Sequence, residues 1–370
     1  MNNNQQAFFT LVQAGLWGKE VRLSPLGKID FSQVLSLAEE QSVVGLVAAG
    51  IEQVHDTKVA KAVVLQLIGQ SLQLEQQNSA MNRYIGDLLE KMRAEGVDAI
   101  LVKGQGIAQC YEKPLWRSCG DIDLLLDEEN YDKAKTLLTP IANRVGQEDV
   151  QKKHYGVTVH PWEIELHGTL HSELSRIIDS ELDQIQQDTL ENRNIRVWQN
   201  NTTTLYLPAP NNDVIFVFVH ILQHFFKGGI GLRQICDWCR LMWTYRSEID
   251  AELLEQRLTR MGLMTEWKAF ASLAVSYLAM PVAAMPLYSN KRKWKRKADQ
   301  IAGFVLETGN FGHNRDTSYL REKPYLIRKS ISLWHHTRYT FTRSRIFPLD
   351  SLRMWGRLFT KGMKVAVKGK

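Results

Sequence analysis

Two aspartates with one residue between them, Asp121 and Asp123, lie in the segment Gly120-Asp121-Ile122-Asp123-Leu124-Leu125-Leu126. The alternation of acid and aliphatic predicts a strand over residues 121–126, in which residues two apart share a face. Ile122, Leu124 and Leu126 then point into a core. Both carboxylates point the other way, with Cα atoms about 6.5–7 Å apart at roughly 3.3 Å of rise per residue. Like charges this close are costly unless a cation neutralises them. Mg²⁺ suits them, because it is hard, prefers carboxylate oxygens and keeps positions for water and phosphate. Two such ions about 3.5–4 Å apart would clamp the attacking and leaving oxygens of a phosphoryl displacement.

Two other segments offer groups to the same chemistry. The apolar run at residues 99–102 ends in Lys103-Gly104-Gln105-Gly106 and reads as a strand entering a loop whose glycines let backbone amides approach phosphate. Residues 162–167 alternate again, setting Glu163, Glu165 and His167 on one face of a third strand. Between them, Tyr131, Ala134, Leu137 and Leu138 recur at helical spacing. Residues 96–210 therefore form a small mixed α/β core.

Taken in order, LVKGQGIAQCYEKPLWRSCGDIDLLL, EIELHGTL and HILQHFFKGGIGLRQICDWCRLM resemble the nucleotidyltransferase superfamily of the DNA polymerase β type. More narrowly, they are similar to a bacterial family of uncharacterised nucleotidyltransferases, with GDIDLLL the most specific part. The resemblance implies transfer of a nucleoside monophosphate from a nucleoside triphosphate to an unidentified acceptor, with release of pyrophosphate. It implies that Asp121, Asp123 and Glu165 hold Mg²⁺ or Mn²⁺, with Lys103 and Gly104 at the triphosphate and Glu165 also able to take the acceptor's proton. Glu165 is preferred to Glu163 because the family places an acid two residues before the histidine. Gln105, Gly120, Arg117 and Arg233 complete the nucleotide-binding set. Arg117 either neutralises phosphate or steadies the loop, and Arg233 either contacts phosphate or pairs with Asp237 one helical turn on. Gly104-Gln105 stands where the wider superfamily has Gly-Ser, so Lys103 would replace the hydroxyl as a point charge.

Other candidate ligands read as scaffold. His220 and His224 have the spacing of a helical metal pair but no accompanying carboxylate, which favours core or interface histidines. Cys236 and Cys239 form a CxxC inside the apolar ICDWCRLMW, with no second ligand pair to complete a zinc site.

Around the core the chain is helical. In residues 1–95, Asp30 and Gln33 suggest a capping box, and Met81, Ile85, Leu88, Leu89 and Met92 form one helix face that ends near Gly96. From Asp213 an almost wholly apolar helix, a glycine-rich loop at residues 227–231 and another helix open a second helical region over residues 211–290. A basic region follows over residues 291–370. Its end places Arg353, Arg357, Lys361, Lys364 and Lys368 opposite Leu352, Trp355, Phe359, Met363 and Ala366, the pattern of a basic amphipathic helix. The fold class expected is α+β, with a small mixed sheet between helical regions.

Composition sets the outer bounds. With 44% hydrophobic and 23% charged residues, the 370-residue chain is neither disordered nor collagenous, and its 4 cysteines cannot staple it. Residues 281–370 carry 20 Lys and Arg against 5 Asp and Glu, net +15, while residues 1–280 carry 26 against 35, net −9. Such a block points to a polyanionic partner, either nucleic acid or an anionic membrane surface, with a solvated face as the alternative. A polar N-terminus and no apolar run near ~20 residues favour the cytoplasm, with peripheral attachment to the inner membrane surface left open by the basic tail. Two other functions also stay open: a nucleotide- or partner-binding module without turnover, and an adaptor acting through its basic end.

Overall fold

Helices α1 (Asn3–Trp17), α2 (Phe31–Glu40), α3 (Val44–Ile51) and α4 (Lys61–Ala94) precede the first strand in the computed structural model, which describes residues 1–310, 325–352 and 356. Asp30 caps α2 by accepting from the Ser32 amide at 3.0 Å, but no capping box closes, because Gln33 accepts from Asn4 instead. The expected stripe of α4 is buried from Met81 to Met92, and Gly96 turns the chain at φ +71. The basic helix expected at Arg353, Arg357, Lys361, Lys364 and Lys368 lies outside the described residues.

The central sheet has five strands, β1 (Ile100–Val102), β2 (Asp121–Leu125), β3 (Arg144–Val145), β4 (His154–Val159) and β5 (Trp162–His167), in the order β1-β2-β5-β4-β3. Only β2 and β5 run parallel, connected through α6 (Glu128–Leu138) and the β3–β4 hairpin. Beyond the three strands expected, one from its apolar run and two from alternation, the structure adds β3, β4, a helix α7 (Arg176–Leu190) and a hairpin of β6 (Ile195–Asn200) and β7 (Thr203–Pro208). A short helix, α5 (Gly104–Ala108), leaves the end of β1.

Alternation along the strands divides the sheet into two faces. Ile122, Leu124, Leu126, Ile164 and Leu166 pack against α4, against Tyr131, Ala134 and Leu138 of α6, and against Leu205 and Leu207 of β7. Each such side chain contributes about 1.5–3 kcal/mol by leaving water. Toward the opposite face, Ile100, Val102 and Leu125 join a larger core with α1, α2, α3, α8 (Pro210–Lys227) and α9 (Leu232–Thr244). Helices α10 (Ala251–Met261), α11 (Met264–Leu278) and α12 (Arg292–Thr308) extend that core. In α13 (Tyr325–Ile346), the buried Arg343 donates to the carbonyls of Phe225 and Phe226 and so satisfies the C-terminal end of α8. Cys236 and Cys239 are free, fully buried thiols on α9, so the CxxC is core. No described helix is long and apolar enough to cross a membrane.

Candidate active site

Parallel pairing sets Asp121 opposite Glu163, Asp123 opposite Glu165 and Leu125 opposite His167. The ligand atoms of Asp121, Asp123 and Glu165 thereby come within 4.8 Å of one another. Glu163 is turned elsewhere, with its carboxylate accepting from Thr158 at 2.8 Å and from Arg144 at 3.4 Å. Glu165 is thus the third carboxylate of the trio. Three hard oxygen donors on a rigid two-strand platform fit Mg²⁺ or Mn²⁺.

Lys103 ends β1 and caps α5 with φ +57, a region a lysine adopts at a cost of about 1–3 kcal/mol, and Gly104 continues the turn at φ +38. This bend aims the ammonium at the acids, with Nζ 2.7 Å from Asp123 Oδ1. On the same oxygen, His167 Nε2 lies at 2.8 Å. Burial opposes the charge of Asp123, yet Lys103 and the His167 hydrogen bond hold its carboxyl well below the usual range. Burial also opposes the charge of Lys103, and Asp123 and Glu165 outweigh it, so the ammonium stays protonated. Asp121 goes the other way: repulsion from Asp123, with burial behind it, pushes its carboxyl up to about 6. Glu165 is lowered chiefly by its hydrogen bond with His154, whose Nε2 stands at 3.1 Å.

The loop that delivers β2 is tied down from both sides. Arg117 is buried and forms a bidentate pair with Asp237 of α9, at 2.9 and 2.7 Å, and Tyr111 donates to the same carboxylate at 2.7 Å. Its guanidinium therefore steadies the loop, and Asp237 is not the partner of Arg233. Arg233 instead donates to Ser118 O at 2.7 Å and lines the recess beside Asp121 and Asp123. From the other side, Asn78 of α4 donates to the carbonyls of Leu115 and Arg117 at 2.7 and 2.8 Å. The Gln105 side chain, expected near nucleotide, donates to Asn78 Oδ1 at 2.7 Å and is buried. Gly120 is exposed, with open space where a Cβ would stand.

A cleft of about 370 Å³ opens over the acids, between the sheet and α8. Five histidines among the described residues line it: His154, His167, His171, His220 and His224. His220 and His224 were expected as core or interface histidines rather than metal ligands. They face the cleft with their Nε2 atoms 3.0 Å apart, and burial followed by the charge of Lys103 keeps both neutral, His224 at about 4. Lys152 and Lys227 stand at the rim, both paired with Glu173, at 2.7 and 2.8 Å. Burial works against the Glu173 charge, but these two lysines hold it down at about 2. Asn78, His154, Lys152 and Lys227 escape sequence reading. Only His154 leaves a signal, as the cross-strand partner of His167, and that requires knowing the β4–β5 pairing.

A mixed sheet between helical layers, with paired acids on one strand and a third on its parallel neighbour, is an α+β nucleotidyltransferase fold. The chain belongs to the uncharacterised nucleotidyltransferase family, whose model matches residues 27–279. That match spans the sheet, its loop supports and the helices that wall the cleft. No curated protein and no solved structure matches the chain.

Proposed function

We propose that the chain moves a nucleoside monophosphate from a nucleoside triphosphate to an acceptor hydroxyl or phosphate. The observation that carries this reading is the register of β2 on β5, which gathers Asp121, Asp123 and Glu165, with Asp121 and Glu165 lining a cleft in the size range of small-molecule sites and Asp123 buried behind them. Those three carboxylates would hold Mg²⁺ or Mn²⁺, which when bound neutralises triphosphate charge and stabilises the leaving pyrophosphate. The acceptor oxygen bonds to the α-phosphorus while the bond from that phosphorus to the bridging oxygen breaks, and pyrophosphate departs with the electron pair. The acceptor's proton passes to a base in the cleft. Glu165, with 35% of its side chain exposed, is open to it, whereas Asp123 at 3% is sealed.

Lys103, Lys152, Lys227 and Arg233 supply positive charge around the phosphates, with Gly104 giving the backbone its close approach. Arg117 and Gln105 act one step back by fixing the loop that carries the acids. Incubation of the purified chain with each α-phosphate-labelled nucleoside triphosphate, Mg²⁺ or Mn²⁺ and a lysate of the source cell tests the reading. Label should pass to one acceptor class with the wild type and fall by about a hundredfold or more with an Asp121→Asn, Asp123→Asn double variant. Equal labelling by both proteins would overturn it, and the labelled species would identify the acceptor.

A further inference from the structure

Beside the oxygen-only trio lies a second cluster with different donor chemistry. Antiparallel pairing sets His154 of β4 opposite His167 of β5, so both imidazoles share a face with Glu165. The ligand atoms of His154, Glu165 and His167 all fall within 4.8 Å of one another. Glu165 Oε2 is 3.1 Å from His154 Nε2 and 3.6 Å from His167 Nε2. A tetrahedral ion held at about 2.0–2.1 Å by each donor spaces its ligands about 3.4 Å apart, so both separations suit one shared cation. His154 and Glu165 are 37% and 35% exposed, which leaves a coordination position facing the cleft.

The geometry points to a transition-metal site formed by His154, Glu165 and His167, joined to the acid trio through Glu165 and selective for a Zn²⁺-like cation over Mg²⁺. Imidazole nitrogens favour borderline ions such as Zn²⁺ or Co²⁺, while Mg²⁺ demands octahedral oxygen and dehydrates reluctantly. Two imidazoles, one carboxylate and an open position are the donor set of a catalytic rather than a structural zinc site. In the metal-free chain an N–H on each Nε2 serves the carboxylates, His167 to Asp123 and His154 to Glu165. Binding takes the place of those two hydrogen bonds, with each ring's single N–H moving to Nδ1 so that the neutral imidazole coordinates through Nε2. The inference concerns metal binding alone and does not need the transfer reaction.

Titration of the tag-free, chelator-stripped chain with Co²⁺, without nucleotide, tests it through the visible d–d bands of a nitrogen-ligated ion. Equimolar Zn²⁺ should bleach the bands and a large excess of Mg²⁺ should not. His154→Ala, at a partly exposed position, should weaken Co²⁺ binding by about tenfold or more while melting as the wild type does in chelator. Glu163→Gln, which removes a carboxylate from the same sheet face outside the cluster, should bind within about twofold of the wild type. Absence of d–d bands, Mg²⁺ competing as well as Zn²⁺, or His154→Ala binding Co²⁺ as tightly as the wild type would overturn the assignment. Bands without nucleotidyl transfer would leave this site standing and remove the proposed reaction. Transfer without bands would do the reverse.

Discussion

The two faces of the central sheet come from the same strands and obey opposite rules. On the side of α4 and α6, every inward position of β2 and β5 is aliphatic or aromatic, and Ile122, Leu124, Ile164 and Leu166 are at most 1% exposed. On the side of α8, the intervening positions hold Asp121, Asp123, Glu165 and His167, with Lys103 reaching in from β1. The apolar face gains free energy from burial alone. The polar face brings like charges together and balances them only in part. Asp123 is satisfied by Lys103 and His167, whereas Asp121 is left raised to about 6 by its neighbour. One strand therefore carries stability on one side and stored electrostatic strain on the other.

Substitutions separate the two faces, and the largest effect on stability falls on the support behind the polar one. Arg117→Ala strips the cationic partner from Asp237 in a buried bidentate pair, leaving only the Tyr111 hydroxyl on that carboxylate, and chemical denaturation should show a loss of about 3–5 kcal/mol. Arg117→Lys should recover only part of that, because an ammonium cannot reproduce the fork. Ile164→Ala on the apolar face should cost about 2–5 kcal/mol by the same measurement. Transfer per folded molecule should stay near the wild-type value for Ile164→Ala. Comparable loss of transfer there and at Asp121 would erase the distinction between the faces.

Much of this division is visible in the chain itself, because period-two alternation is a strong signal in β2 and β5. It sets the aspartates on one face of one strand and Glu163, Glu165 and His167 on a face of the other, and the family resemblance is what favours Glu165 over Glu163. The rest depends on packing that alternation does not encode. Asp237 lies one helical turn from Arg233, and local spacing favours that pair. Burial favours the planar fork of Arg117, which arrives from a loop 120 residues away. His220 and His224 sit on α8, which is apolar nearly all round because it is packed on most sides, so nothing in its periodicity marks the strip facing the cleft. Asn78 sits on a helix whose buried stripe is otherwise mostly apolar, and its role appears only when the Leu115 and Arg117 carbonyls meet it. β4 is broken by Gly156 and offers only Tyr155 and Val157 as buried apolar positions, too short a pattern to show that His154 would face His167.

The polar face is built for chemistry at the expense of the fold, and Asp121→Asn, measured two ways on one preparation, separates the two costs. In chelator at neutral pH, removing the raised carboxylate should stabilise the chain by about 1–3 kcal/mol, since a shift from 3.8 to about 6 bounds the repulsion it relieves. Because the folded-state value lies above the unfolded one, that gain should be complete above about pH 6 and fade as the pH falls toward 3.8 and the wild-type carboxyl takes up its proton. In the labelled-nucleotide assay with Mg²⁺, the same protein should lose transfer by about a hundredfold or more. A more stable, inactive variant is expected. An Asp121→Asn protein that transfers as the wild type does would mean that Asp121 is not needed for transfer, and one that melts lower in chelator at neutral pH would mean that it is not strained by its neighbour.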